Sequence, residues 1–381
     1  MTKYLASGCV AAAAAALMVA VVVEVPVAGQ AQDAPKPTMA KAAAPKAVKP
    51  AEAAKAGSKT AWGEPDLQGV WTSDAALGIP RERPEKYGNR ANLTDEEFAE
   101  AHKSDEKRRT DGENAVGAFR NDGAWKTKSY RQTSIVIEPE DGHTPAFTEE
   151  ALKRTATRDR GSFGEGPFRD QLDFTLYDRC ITRGIVGSVM PVVYGNGNRI
   201  IQSPGVVVIS YEMVHDTRVI YTDGRPHVPS KIRQYLGDSR GHWEGDTLVI
   251  ETTNFTDQTS IGGGNGNGLR HSADLKLTER ITRVDGDELR YEVHIDDPKT
   301  YVKPWTLSLP LTSPPGYVLL PYECHEGNYM LKNSLSAERA EDKAIEEDAV
   351  KGIIRRRKSV QQNLDAGARP IPGRANPDDQ E

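Results

Sequence analysis

The 381-residue chain predicts a mostly β protein with an antiparallel barrel-like or sandwich core. Three observations lead there. The second half carries short runs in which apolar and polar residues alternate, as in half-buried strands. Hairpin-type turns separate these runs at regular spacing. The first half lacks them and reads as partly irregular and helix-decorated, and a charged helix closes the chain.

Residues 1–31 have the layout of a secretory signal peptide. Lys3 supplies the positive end, an Ala/Val-rich run extends from Cys9 to Val23, and small residues follow Pro26. Cleavage after Ala31 is expected; the alternative is a retained N-terminal membrane anchor. Cys9 precedes the apolar run instead of following it, which argues against lipidation. Residues 32–60 form an Ala/Lys/Pro linker that cannot bury a core. The linker carries +4 and the leader 0, so the net charge of −6 leaves −10 on the remainder. A mildly acidic body argues against a nucleic-acid partner, whereas the linker can touch an anionic envelope surface. A periplasmic or secreted location follows.

Residues 61–335 read as a single β-rich domain, and 336–381 as a charged helix and polar tail. GVWTSD (69–74) is a short strand. Thr94, with Glu97 three residues on, forms a capping box for a helix running to Arg109. SIVIEP (134–139) is a strand and 147–158 a second helix. A Gly-Asn turn at 195–198 joins VVY to RIIQ in a hairpin. GVVVISYEM and TRVIYTDG are consecutive strands. Trp243–Asp246 is a turn into TLVIETTNF. LKLTERITRV, LRYEVHI, WTLSLPL and GYVLLPYEC complete a meander.

Polar chemistry is concentrated in Ser203–Asp257, which holds His215, His227 and His242 among strand-like runs. His215, Asp216 and Arg218 fall at a strand junction, where barrels place site residues. His227 lies in the rigid turn DGRPHVP; Asp216, Asp238 and Glu251 are all available to orient a histidine base, with Asp216 or Asp238 favoured. In LKLTERI, alternation puts Glu279 on an apolar inner face, either as a general acid or as a paired structural carboxylate. His325 lies beside Cys324 in a second dense cluster, YECHEGN. His215 or His227 is then the base and Glu279 or His325 the acid, with Arg218 and Arg233 binding an anionic group. Trp243, Glu251, Asn254, Tyr322 and Glu326 complete the candidate substrate-binding set. For each histidine the ordinary hydrogen-bonded role stays open.

With Cys9 removed, Cys180 and Cys324 remain. In an exported protein this parity points to a disulfide, closing a loop of about 145 residues and contributing on the order of 5 kcal/mol in the chain-entropy model. No HExxH, HxH or CxxC motif is present, so no metal or organic cofactor is expected. A divalent metal would require His215, His227 and His325 to converge with a carboxylate. The glycine-rich run 262–268 is neither a P-loop nor a dinucleotide fingerprint; it reads as a hairpin loop or a flap.

The motifs DLQGVWTS, MVHDTRVIYTDGRPHVP, GDSRGHWEGDTLVIETTNFTD, LTERITRVD and YECHEGNYM resemble a family of exported bacterial proteins usually labelled hypothetical. The resemblance covers about residues 64–340 and implies export. It brings no activity, and it places an arginine where this chain has His242. GVW also resembles the G-x-W of lipocalin-like barrels, which would imply a cavity-bearing antiparallel barrel closed at one end by Trp71. The favoured reading is a periplasmic enzyme acting on a small polar or aromatic molecule by His/carboxylate chemistry, as a hydrolase, lyase or isomerase. The alternatives are a non-catalytic lipocalin-like binder and a structural envelope protein.

Overall fold

The computed structural model describes residues 57–113, 128–155, 168–192, 194–261 and 270–355. The expected signal peptide, most of the linker, the glycine-rich run 262–268 and the tail beyond Arg355 lie outside the described residues. The strands are β1 (Gly69–Thr72), β2 (Val136–Glu138), β3 (Gly197–Ser203), β4 (Val206–Tyr211) and β5 (Thr217–Tyr221), then β6 (Asp238–Glu244), β7 (Thr247–Thr253), β8 (Lys276–Asp285), β9 (Glu288–Asp296) and β10 (Trp305–Thr312). The helices are α1 (Asp95–Glu113), α2 (Glu149–Thr155), α3 (Ile185–Val189) and α4 (Met330–Val350). The capping box forms as read: Thr94 Oγ1 accepts from Glu97 N at 3.2 Å, and Glu97 Oε2 accepts from Thr94 N at 2.9 Å.

Nine strands close into a barrel in the order β1-β3-β4-β5-β6-β7-β8-β9-β10, with Thr72 of β1 meeting Thr312 of β10. β2 lies outside this ring, on the free part of the β10 edge. Strand directions must match after one circuit, so a ring of nine cannot be antiparallel throughout. The exception is β5–β6, which run parallel and pair at one position, Tyr221 with Arg240. A parallel step needs a crossover and not a hairpin, and residues 222–237 supply it.

The register sets the inner face. Ile250, Glu279 and Val293 are neighbours across β7, β8 and β9, and Leu307 continues the row. On the other side Trp71, Asn198 and Tyr211 form one row, and Ile209 with Arg218 continues inward along the next. These residues are buried and fill the barrel. Arg283 packs over the Trp71 ring at 4.8 Å and donates to Asp66 O at 2.8 Å.

Glu279 faces inward as alternation predicts, in the paired role. Arg218 Nη1 donates to its Oε2 at 2.5 Å, Nη2 to Oε1, and Tyr291 Oη to Oε1 at 2.7 Å. Burial alone would weaken Arg218's hold on its proton; the Glu279 carboxylate more than offsets this, and the guanidinium's pKa is raised.

Four elements differ from expectation. Val192 and Tyr194 are in no strand: the buried Asn196 side chain binds Val192 N at 3.0 Å and Asp74 Oδ1 at 2.5 Å. GDSRGHW is a strand, β6, although its inner face carries Ser239 and Gly241 where alternation would put apolar residues. A Cβ at Gly241 would lie 2.9 Å from Ile220 Cγ2. GYVLLPYEC pairs with no strand, since β9 takes one edge of β10 and β1 with β2 take the other. It docks on Glu212 instead, through Tyr317 Oη at 2.6 Å and Leu320 N at 3.0 Å. Finally, α4 begins at Met330, six residues before the expected start.

Breaking a buried ion pair from one side costs about 3–5 kcal/mol, because the surviving charge stays uncompensated. Glu279→Ala should lose that much in urea unfolding, and the double variant Arg218→Met/Glu279→Leu should recover most of it. A Glu279→Ala variant as stable as wild type would contradict the pairing.

Candidate active site

The crossover between β5 and β6 is held by polar contacts and not by secondary structure. Asn254, at φ +60°, donates through Nδ2 to Val228 O at 2.9 Å, Pro229 O at 3.2 Å and Ile232 O at 3.2 Å. Its own carbonyl accepts from Gln234 N at 3.0 Å. Asn254 therefore straps the crossover to the end of β7. Gly237 makes the last bend at φ +64°, where a Cβ would lie 2.5 Å from Thr253 O, so only glycine fits. Arg225 stacks on the Tyr221 ring at 3.8 Å.

Because β5 and β6 meet at only one position, the wall opens beside it. A cleft of ≈ 740 Å³ runs along this seam, bordered by Asp216, Arg218 and Val219 on one side and by Arg233, Tyr235 and Asp238 on the other. Arg218 and Val219, on opposite faces of β5, both border it.

Two groups in this cleft carry chemistry. Burial raises the pKa of Asp216, opposed by a hydrogen bond from Thr182 and by the charge of His215. Its Oδ2 has no partner among the described residues. Asp238 is buried and accepts on both oxygens: Oδ2 from His227 Nδ1 at 2.8 Å and Val228 N at 3.1 Å, Oδ1 from Arg240 Nη1 at 2.7 Å. An ionised carboxylate only accepts, so the His227 proton sits on Nδ1 and Nε2 is left as the basic nitrogen. The His227 side chain is 29% exposed. The carboxylate that orients a histidine is thus Asp238, and the histidine is His227.

The other candidates fall elsewhere. Glu279 is sealed in the interior with Arg218. His215 is exposed at the β4–β5 turn, at φ +59° beside Val214 at φ +67°. Neither lines the cleft, nor does His325, which is exposed in the turn after Cys324, and of the His227–Asp238 pair only Asp238 is a lining residue. Cys180 and Cys324 form the expected disulfide, with Cα atoms 5.6 Å apart. Tyr322 stacks on Tyr194 at 6.3 Å and hydrogen-bonds Tyr177; burial and then Tyr177 push its phenol up to about 12. Glu251, Glu326 and His242 are exposed, and Trp243 packs against the core. Arg233 Nη1 donates to Phe255 O at 3.0 Å and to Ala273 O. Among the described residues no group of three or more His, Cys, Asp or Glu side chains could hold a metal ion, and no helix is long and apolar enough to cross a membrane. No family model, curated protein or solved structure matches the chain.

Sequence reasoning passed over His271 entirely. It is buried, its Nδ1 donates to Ser272 O at 2.8 Å, and its Nε2 is hydrogen-bonded with Thr259 Oγ1. The Phe255 ring meets it edge-on at 5.3 Å. Burial, against the Ser272 hydrogen bond, pulls its pKa down to about 4. No periodicity or spacing marks this position, because it follows the glycine-rich run and precedes β8.

A histidine whose folded pKa lies below its unfolded value charges first in the unfolded chain. Its effect on stability is nil above the unfolded pKa, grows as pH falls through ~6.5, and levels off near 4 at a loss on the order of 3 kcal/mol. The stability–pH curve of His271→Gln should therefore be flatter than wild type across that window; parallel curves would contradict the buried neutral imidazole.

Proposed function

We propose that the protein is an exported enzyme acting on a small polar organic molecule in the seam cleft by acid–base chemistry. The observation that supports this most directly is that a desolvated carboxyl, Asp216, shares the cleft with Asp238, which holds an oriented histidine. In its protonated form Asp216 gives a proton to a leaving or carbonyl oxygen. His227 Nε2 takes one from water or a carbon acid. Hydrolysis, elimination and isomerisation all need such a pair. The Cys180–Cys324 disulfide supports an oxidising compartment and hence export. A purely structural role accounts for the Arg218–Glu279 pair, but it leaves Asp216 with an unmet oxygen for no return.

The test is turnover by the purified full chain on a panel of small esters, lactones, hydroxy acids and glycosides. His227→Gln and Asp216→Asn should each lower kcat/KM by about a hundredfold or more. Activity that depends on protonated Asp216 falls as pH rises through its raised pKa, and Asp216→Asn should remove that limb of the profile. Wild-type turnover in both variants would overturn the assignment.

A further inference from the structure

The register of β5 fixes which of its backbone groups face the seam. Tyr211 N donates to Asp216 O at 2.8 Å and Thr222 N to Gly205 O at 2.9 Å, at the two ends of the β4–β5 ladder. Hydrogen-bonded pairs alternate along an antiparallel ladder, so Arg218 and Ile220 also bond to β4. Thr217, Val219 and Tyr221 then point their N–H and C=O groups the other way, toward β6. The 2.9 Å hydrogen bond from Thr217 Oγ1 to Ser210 Oγ agrees, because side chains lie closest in the non-hydrogen-bonded pairs. Tyr221 meets Arg240, but the backbone groups of Thr217 and Val219 have no partner among the described residues.

This edge is open. Thr217 is exposed, Val219 is 45% exposed, and both border the ≈ 740 Å³ seam cleft. The opposite wall is held back by its own contacts: Gln234 bridges to Phe255, Tyr235 O accepts from Thr259 Oγ1 at 3.2 Å, and Arg233 Nη1 donates to Phe255 O at 3.0 Å. The gap is thus built into the crossover and is not a frayed end. An unpaired strand edge is a template for another strand, and natural edges are guarded by lysine, proline, a bulge or an inward charge. The outward side chains of β5 are Thr217, Val219 and Tyr221, its ladder to β4 is unbroken, and its inward charge, Arg218, is taken up by Glu279.

Shape and charge select the occupant. The cleft is bordered on both sides, so it takes a single extended chain and not the wall of a second barrel. Arg218 is neutralised by Glu279 and Asp238 by Arg240. That leaves one bordering group of each sign, Asp216 and Arg233, and favours an uncharged segment. On the outer face Ile201, Val208 and Val219 are neighbours across β3, β4 and β5. Ile201 is 46% exposed, and the row stops at the seam edge. A β-branched side chain opposite Val219 continues it. We propose that the seam cleft accepts an extended, uncharged peptide rich in β-branched residues, paired as an added strand to the backbone of Thr217 and Val219. The inference goes beyond the acid–base reading and does not need the cleft to be catalytic.

The experiment is calorimetric titration of the full chain with an acetylated, amidated peptide of alternating valine and threonine, and with copies N-methylated on either the valines or the threonines. The parent peptide should bind. Methylating at least one of the two sets should abolish binding, because a strand presents only alternate N–H groups to its neighbour. Bound peptide should slow exchange of the Thr217 and Val219 amides at least about tenfold and leave β8 unchanged. Val219→Pro removes one seam-facing N–H and spares the β4 ladder, as at edge positions where proline is tolerated. It should weaken binding about two- to tenfold, the worth of one hydrogen bond. The methylated peptides carry the test should this variant fail to fold. No binding, or equal binding of the parent and both methylated peptides, would overturn the inference. So would protection of the two amides that grows with protein concentration in the absence of peptide, which would assign the edge to a second copy. Peptide binding by a chain that turns over none of the small-molecule panel would sink the acid–base reading and leave this one standing; turnover without peptide binding would do the reverse.

Discussion

The Arg218–Glu279 ion pair is the interaction on which the barrel depends. It joins β5, which meets β6 at a single residue pair, to β8, which is laddered along its length on both sides. The bidentate geometry and the Tyr291 hydroxyl satisfy both Glu279 oxygens. Such a pair is weak evidence for net stability, since apolar side chains of similar volume often do as well. Its specific effect is to fix where β5 sits relative to the far wall, although β5, laddered to β4, has little hold on β6.

The site follows from the same constraint. Nine strands cannot close with antiparallel steps alone, and the unavoidable parallel step is one of the two steps paired at a single position. The crossover that serves it also brings Arg233, Tyr235 and Asp238 to one side of the opening. The opposite side is set by the turn into β5, where Asp216 is bonded to Thr182. Thr182 lies two residues from Cys180, so the disulfide to Cys324 fixes the segment that holds Asp216 in place. Charge is balanced inside this frame by the Arg218–Glu279 and Arg240–Asp238 pairs.

Much of this was legible in the sequence. The paired apolar alternation of LKLTERI and LRYEVHI places Glu279 and Tyr291 on one inner face, and cysteine parity anticipates the disulfide. Asp238 as the orienting partner of His227 is one of three options that sequence allows. β6 was not legible, because its inner positions are Ser239 and Gly241, chosen for close approach to Ile220 and not for apolarity. GYVLLPYEC reads as a strand because its residues favour one, and only the occupied edges of β10 exclude it. Ring closure, the parallel seam and the burial of His271 are long-range facts that no local pattern carries. Asn254 reads as a polar site residue, whereas its amide is consumed by three crossover carbonyls.

The central claim is that the β5–β6 seam is an open line of the barrel, paired at one position, as is the β1–β10 closure. Native-state amide hydrogen exchange reads this directly, because local opening releases weakly paired strands without global unfolding. Amides of Thr217–Tyr221 and of the 222–237 crossover should exchange at least about a hundredfold faster than those of β7, β8 and β9, in the absence of denaturant. Protection of β5 equal to that of β8 would contradict the account.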